Sequence, residues 1–355
     1  MKTLLVNSPS PLTCELADRG LDLVVMHSPH VAAHLQGRLP DSCTLVPFHP
    51  RVKVDPSAVM AMRRVLRETS PGIVHAFHPK PLASAVLARI GLPQKPRIVS
   101  FRGISSVPSY LDAGNWVTVL NPAVRFHACE SDAVADGLTR AGIARSSCHT
   151  VYNCVALERV GMETRNSLRD RFGIPRDAFV VGTVATIRPV KGIDLLIEAA
   201  ASCADLRDTW WLVAGTVRDP RVATLARDPR LAGRLVMPGH VADGNLIGGA
   251  LDLFVMPSRQ EALCRALLEA MARATCPVVS DAGGMKEVVR HGIDGVVVPK
   301  ENVTALATAI RELHANRDRV LEYTESSVTR VNTMCSPQAM ADRVLEAHRR
   351  ACETP

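Results

Sequence analysis

Apolar positions fall into short runs separated by stretches in which apolar residues recur every three or four positions. In the first half the runs are Thr3 to Val6, Leu21 to Met26, Thr44 to Pro47, Ile73 to Phe77, Arg97 to Phe101, Phe126 to Cys129 and His149 to Val151. The intervening stretches Pro56 to Glu68, Pro81 to Ile90 and Ser131 to Ala141 carry the helical period. Alternating strand and helix predict a parallel sheet covered on both faces. Only fourteen residues, two of them proline, separate the first two runs, so a full first helix hardly fits.

The second half repeats the scheme. Phe179 to Ala185, Thr209 to Ala214, Arg234 to Met237, Leu251 to Met256, Cys276 to Ser280 and Gly295 to Val298 read as strands. Ile193 to Cys203, Arg221 to Ala226, Arg265 to Ala274, Lys286 to His291, Val303 to Asn316 and Ala339 to Ala351 read as helices. Glu158 to Asp177 reads as a linker, with a helix from Asn166 to Phe172. A chain of 355 residues exceeds what one core usually serves. The expected organisation is therefore two Rossmann-like α/β domains, 1–165 and 166–336, with a ligand site beyond the carboxyl ends of their strands, in a cleft between them.

Ten scattered cysteines form no C-x-x-C pair and no zinc-ligand spacing, which suits reduced thiols in a cytoplasmic protein. No apolar run reaches membrane-spanning length, and Leu4 to Val6 is too short for a signal sequence. Residues 1–165 hold 18 Lys+Arg against 12 Asp+Glu, which accounts for nearly all of the net charge of +7. A basic half suits phosphate-bearing ligands first and anionic lipid second. Nucleic acid is not expected, because no aromatic-rich basic patch accompanies the charge.

Three constellations carry chemistry. In Gly182-Thr-Val-Ala-Thr-Ile-Arg188-Pro-Val-Lys191-Gly192, a strand ends in a turn bearing two cations that leads into a helix. Such a turn can hold a diphosphate between its cations and the helix amides, and fixed cations can stand in for a metal as charge grows on the leaving group. The same residues also describe a solvated basic turn. Glu261 and Glu269 follow a strand with eight-residue spacing. On a single helix they would lie roughly 12 Å apart along the axis, near the reach from a sugar ring to a ribose, and each carboxylate can accept from two hydroxyls. Chance alone also yields such a pair. Ser280-Asp-Ala-Gly283-Gly284-Met-Lys-Glu287 is a glycine turn that allows close backbone approach or simply connects strand to helix.

In this order the three resemble glycosyltransferase family 4, whose second half reads R-x-x-K-G, then E-x7-E with A-M-A, then G-G-x-x-E. These are Arg188, Lys191 and Gly192; Glu261, Glu269 and Ala270 to Ala272; and Gly283, Gly284 and Glu287. The likeness covers residues 180–310 and is thinner before them, at Leu16-Ala-Asp-Arg19-Gly20, Pro71-Gly-Ile-Val-His75 and Tyr152-Asn153. It implies the GT-B fold, with the chain from Pro337 returning to the first domain. It also implies a retaining, metal-independent transfer needing no cofactor beyond the nucleotide-sugar donor. Arg188, Lys191 and Glu261 would be the catalytic residues, the cations on the diphosphate and Glu261 on the sugar. Glu269 would take the ribose, and the amides of Ala262, Leu263 and Cys264 the sugar or phosphate. Gly182 would belong to the donor site, and the nucleobase would lie near Gly239, His240 and Val241.

Three departures stand out, one of them in the expected sugar pocket, where Cys264 and Arg265 replace the glycine or aromatic residues of many relatives, and two on the acceptor side. Ser8-Pro-Ser-Pro11 replaces the usual glycine-rich turn after the first strand, and Arg102-Gly103 stands where many relatives have His-Gly. Arg102 cannot be a base and either clamps a phosphate or forms an ion pair. His78 is a candidate acceptor contact or a structural histidine. Ser57 to Glu68, with its flanking arginines, either rests on an anionic membrane surface or buries its apolar face in its own domain. The expected function is transfer from a UDP- or GDP-sugar to a glycan or lipid-linked acceptor in bacterial envelope polysaccharide or lipopolysaccharide synthesis. It would take place in the cytoplasm, with possible peripheral contact at the inner membrane. The alternatives are an epimerase or phosphorylase of the same fold, and a non-catalytic nucleotide-sugar binder.

Overall fold

A computed structural model describes residues 1–155 and 164–353 of the chain. Seven apolar runs form one parallel sheet: β1 (Thr3–Val6), β2 (Leu23–His27), β3 (Thr44–Pro47), β4 (Ile73–Ala76), β5 (Arg97–Arg102), β6 (Val124–Cys129) and β7 (Cys148–Thr150), in the order β3-β2-β1-β4-β5-β6-β7. The direction of winding reverses between β1 and β4. Both faces are buried, as helical crossovers require. Along β1, Leu5 packs with Leu12, Leu16, Met340 and Val344, while Leu4 and Val6 pack on the other side with Met62, Val65, Leu66 and Val86.

One expectation for this unit needs correction. A nine-residue first helix, Ser10–Asp18, does form. Pro9 is its cap residue and Pro11 lies in its first turn, where a missing N–H costs nothing because those amides have no partner in a helix anyway. Of the two readings of the helix Pro56–Thr69, burial in its own domain is the one observed for Ala58, Met62, Val65 and Leu66.

The second sheet comprises β8 (Phe179–Val184), β9 (Thr209–Ala214), β10 (Leu235–Gly239), β11 (Leu253–Met256), β12 (Cys276–Ser280) and β13 (Val296–Val298), ordered β10-β9-β8-β11-β12-β13 with every pair parallel. Its winding reverses between β8 and β11, the topological position at which open α/β sheets bind ligands. One core face gathers Ile193, Leu196, Trp211, Leu306 and Ile310.

An 18-residue helix, Arg317–Met334, is absent from the sequence-based assignment. It buries only Val320, Tyr323, Ser327, Val331 and Met334, a narrow stripe in an otherwise polar segment. The chain divides into Met1–Cys154 with Pro337–Pro355, and Val155–Ser336. The division thus falls ahead of the border expected at 165/166, and the helix Arg165–Arg171 belongs to the second unit. Residues 158–163 of the expected linker lie outside the described residues. The helix Pro337–Glu353 packs on the first unit, where buried His348 meets buried His75 at 3.0 Å (Nε2 to Nδ1). Among the described residues no helix is long and apolar enough to cross a membrane.

Candidate functional site

The turns after β8 and β11 meet at the switch point of the second sheet. After β8 the chain bends through a 3₁₀ turn, Pro189–Lys191, into the helix Ile193–Ser202. Gly192 joins the two with φ +65°, and a Cβ there would lie 2.0 Å from the Pro257 carbonyl oxygen. Only glycine satisfies both constraints, and the close approach brings the basic turn against the chain leaving β11. Lys191 Nζ then reaches Glu261 Oε2 at 2.5 Å, with the two side chains only 17% and 12% exposed. Ser258, fully buried, donates its hydroxyl to the same carboxylate oxygen at 3.2 Å.

A second ion pair fixes this arrangement from behind. Arg259 grips Asp194 through two bonds of 2.8 and 2.7 Å and donates to the Pro189 carbonyl at 2.7 Å, while its own amide donates to the Val190 carbonyl at 2.9 Å. Arg221 adds a contact of 3.0 Å to Asp194. Burial alone would raise the Asp194 pKa, but the Arg259 bonds and the charges of Arg259 and Arg221 outweigh it and hold the carboxyl below its ordinary value. The paired guanidinium offsets the cost of burying the carboxylate. One residue of the β11 turn thereby fixes two positions of the β8 turn and the first turn of the helix that follows it.

The turn after β12 supports the same centre. Ser280 donates to the Ser258 carbonyl at 2.6 Å, and the Gly284 amide donates to the Ala262 carbonyl at 2.9 Å. Gly283 has φ +60°, and a Cβ there would sit 1.8 Å from the Glu261 carbonyl oxygen. That approach requires glycine at 283, which a plain connection would not.

Glu261 and Glu269 do not share a helix, as the helix read from Arg265 onward implies. The helix begins at Arg265, which puts Glu261 in the turn and Glu269 within the helix. Glu269 accepts from Arg265 Nε at 2.9 Å. Ala262, Leu263 and Cys264 are buried between the two glutamates. Burial pushes the Cys264 thiol up to about 12, so it cannot supply a thiolate nucleophile.

Arg188 is exposed and has no ion pair among the described residues. Gly239 closes β10 with φ +77° and accepts from the Gly215 amide at 2.7 Å; His240 beyond it is exposed and Val241 half-buried. Gly182 lies inside β8, paired with Leu212 and Phe254. A Cβ there would meet the Leu212 carbonyl oxygen at 2.3 Å, so packing within the sheet by itself requires glycine at this position.

The acceptor-side candidates lie in the first unit. His78 is the exposed residue capping the helix Pro79–Ala88, just past β4. Arg102 ends β5; it donates from Nη2 to the Ser106 carbonyl at 2.8 Å, and its buried Nε has no partner. Burial lowers its pKa. Gly103 follows, and a Cβ there would lie 2.6 Å from Glu130 Oε2. The clamp Arg259–Asp194 and the hydrogen bonds of Ser258 and Ser280 escaped sequence reading. Asp194 stands 65 residues from Arg259, and no local pattern announces a pair across that separation.

Comparison with known proteins shows the family and the fold. The family model described as "Glycosyl transferases group 1" matches residues 164–327, and that of "Glycosyltransferase Family 4" matches residues 12–159. A D-inositol 3-phosphate glycosyltransferase from Catenulispora acidiphila is 30% identical over 60% of this chain and 54% of its own. A lipopolysaccharide core biosynthesis mannosyltransferase, LpcC, from Rhizobium leguminosarum is 33% identical over 43% of this chain and 45% of its own. The matches thus span about half the length of these curated relatives. Among solved structures, a glycosyltransferase from Rickettsia africae superposes with a TM-score of 0.80 at 18% identity, covering 100% of this chain and 99% of that one. HepE of Anabaena in complex with UDP-glucose gives 0.79 at 19% identity, covering 98% and 99%. By its two matched family models, its relatives and its two doubly wound sheets, the chain belongs to glycosyltransferase family 4 and has the GT-B fold.

Proposed function

We propose that this chain is a retaining glycosyltransferase that takes a sugar from a UDP- or GDP-sugar and passes it to a glycan or lipid-linked acceptor of the bacterial envelope. The observation that carries the reading is the ion pair between Lys191 and Glu261 at the switch point, with Arg188 on the same turn. A bound donor would separate the pair: its diphosphate would take Lys191 and Arg188, and its sugar hydroxyls Glu261.

In the reaction the bond between the anomeric carbon and the diphosphate oxygen breaks. The acceptor oxygen bonds to that carbon on the face just vacated, and the acceptor proton passes to the departing phosphate oxygen. Lys191 and Arg188 stabilise the charge that accumulates on the leaving group, a role that requires no metal. Glu269 would hold the ribose after releasing Arg265. The envelope assignment draws support from LpcC, and the UDP assignment from HepE, each by its printed description.

The test is a panel of UDP- and GDP-sugars assayed for donor turnover with and without EDTA, on wild type and Glu261→Gln. Turnover of one donor that survives EDTA and falls in the variant is expected. Turnover abolished by EDTA would remove the metal-independent mechanism, and turnover unchanged in Glu261→Gln would remove this residue from the site.

A further inference from the structure

We propose that the segment from Ile104 to Trp116, together with Val52 and Val54, is a docking surface for an anionic lipid bilayer. Large apolar side chains stand in water here in unusual density. Leu111 is 98% exposed, Tyr110 52% and Trp116 47%, and Ile104, Val52 and Val54 are each about half exposed or more. Among the described residues of the second unit the exposed large apolar side chains are Val217, Ile293 and Leu321, which lie far apart along the chain, the first two in loops and the third in a helix. Scattered single residues need no explanation, whereas a contiguous patch does.

Two observations establish contiguity. Lys53 Nζ lies 3.8 Å from Asp112 Oδ2, and a Cβ on Gly114 would fall 2.2 Å from Lys53 Nζ. The chain at Val52 and Val54 therefore lies against the chain at Leu111.

The segment is held in shape by its own hydrogen bonds. The Trp116 indole donates to the Tyr110 carbonyl at 2.7 Å, the Tyr110 hydroxyl to the Ala141 carbonyl at 2.6 Å, and the Asn115 amide to the Ser109 carbonyl at 2.9 Å. The two aromatic rings meet edge to face at 5.5 Å. Polar atoms are thus satisfied toward the protein while apolar atoms face outward, and paired Tyr and Trp suit the boundary between headgroup and hydrocarbon.

Charge selects the partner. Residues 51–116 hold ten Lys+Arg against three Asp+Glu, an excess equal to the net charge of the whole protein. Arg51 and Lys80 are exposed beside the patch, Lys80 donating to the Arg51 carbonyl at 2.7 Å. Apolar side chains rimmed by cations match an anionic bilayer, where insertion and charge attraction add. A partner of neutral glycan would leave both features unused.

The test is flotation of the full-length protein with vesicles of phosphatidylglycerol and phosphatidylcholine, followed by tryptophan emission. Expected are binding to these vesicles and not to phosphatidylcholine alone, a blue shift lost in Trp116→Phe, and a partition coefficient reduced about tenfold or more in Leu111→Glu. Leu111 contributes nothing to the core, so a far-ultraviolet circular dichroism spectrum like wild type is expected for that variant. Arg51→Gln with Lys80→Gln should weaken binding further. Equal binding of wild type and Leu111→Glu, or equal binding to neutral vesicles, would overturn the proposal. So would a dimer abolished by Leu111→Glu in a protein that ignores vesicles, since the patch would then serve a second copy of the chain.

Discussion

The carboxyl edges of the two sheets share a topology, a reversal of winding at the central strand, yet their turns are built differently. In the second sheet the turns after β8 and β11 are locked by buried charge: Arg259 on Asp194, and Lys191 on Glu261. In the first sheet the turns after β1 and β4 carry no such pair. A His27 ring nitrogen contacts the Ser8 carbonyl at 3.1 Å, and the Phe77 amide donates to the Val6 carbonyl. One edge is fixed in advance, as the proposed binding of a diphosphate of set geometry would need. The other leaves its exposed side chains free to vary, as acceptor recognition would demand.

Substituting one cation on each edge gives the largest expected contrast. Lys191→Ala should lower donor turnover about 10²- to 10³-fold, whereas Arg102→Gln should leave acceptor-free donor hydrolysis within about twofold of wild type while reducing transfer. Parallel assays of hydrolysis and transfer read both, and equal losses in the two variants would erase the distinction.

Acid should separate the units next. Burial pushes His348 and His127 down to about 4, with Arg102 contributing at His127, and holds His75 well below its usual value. All three belong to the first unit. Unfolded histidine binds protons near 6.5, so between pH 6.5 and 4 the unfolded chain takes up protons that the folded one refuses. The stability these groups contribute is complete above that window and is lost as pH falls through it, by about 3 kcal/mol for each fully refused proton. Thermal unfolding followed across the window should show the first unit weakening ahead of the second, and His348→Gln should flatten the dependence.

A smaller effect is expected from the clamp. Arg259→Ala leaves Asp194 with Arg221 and should destabilise the second unit by about 2 to 3 kcal/mol, read by urea titration. It should also weaken donor binding, because the β8 turn loses its anchor. The smallest effects belong to helix caps, one from each unit. Ser131 accepts from the Val134 amide and Asn302 from the Ala305 amide. Replacing either with alanine should cost about 1 kcal/mol, confined to its own unit.

The legible parts of the sequence were those written locally. Arg188, Lys191 and Gly192 lie within five residues, and Gly283 and Gly284 are adjacent, so strand, turn and helix could be read together around them. Glu261 and Glu269 were legible in the same way, because the helix read from Arg265 onward does begin between them. Prolines misled where position matters more than identity, as in the first helix. The Arg259 clamp, the stripe of Arg317–Met334 and the patch around Leu111 share a cause. Each depends on what lies across from a residue in space, and an apolar residue reads the same in sequence whether it is buried like Leu66 or exposed like Leu111.

The most direct measurement is calorimetric titration of the nucleotide-sugar donor identified by turnover into wild type, Lys191→Ala and Glu261→Ala, in buffer containing EDTA. Saturable binding to wild type, weakened at least tenfold in both variants, is the expected result, because each substitution removes one partner of the pair the donor is to divide. Wild-type affinity in both variants would contradict a donor site at the switch point of the second sheet.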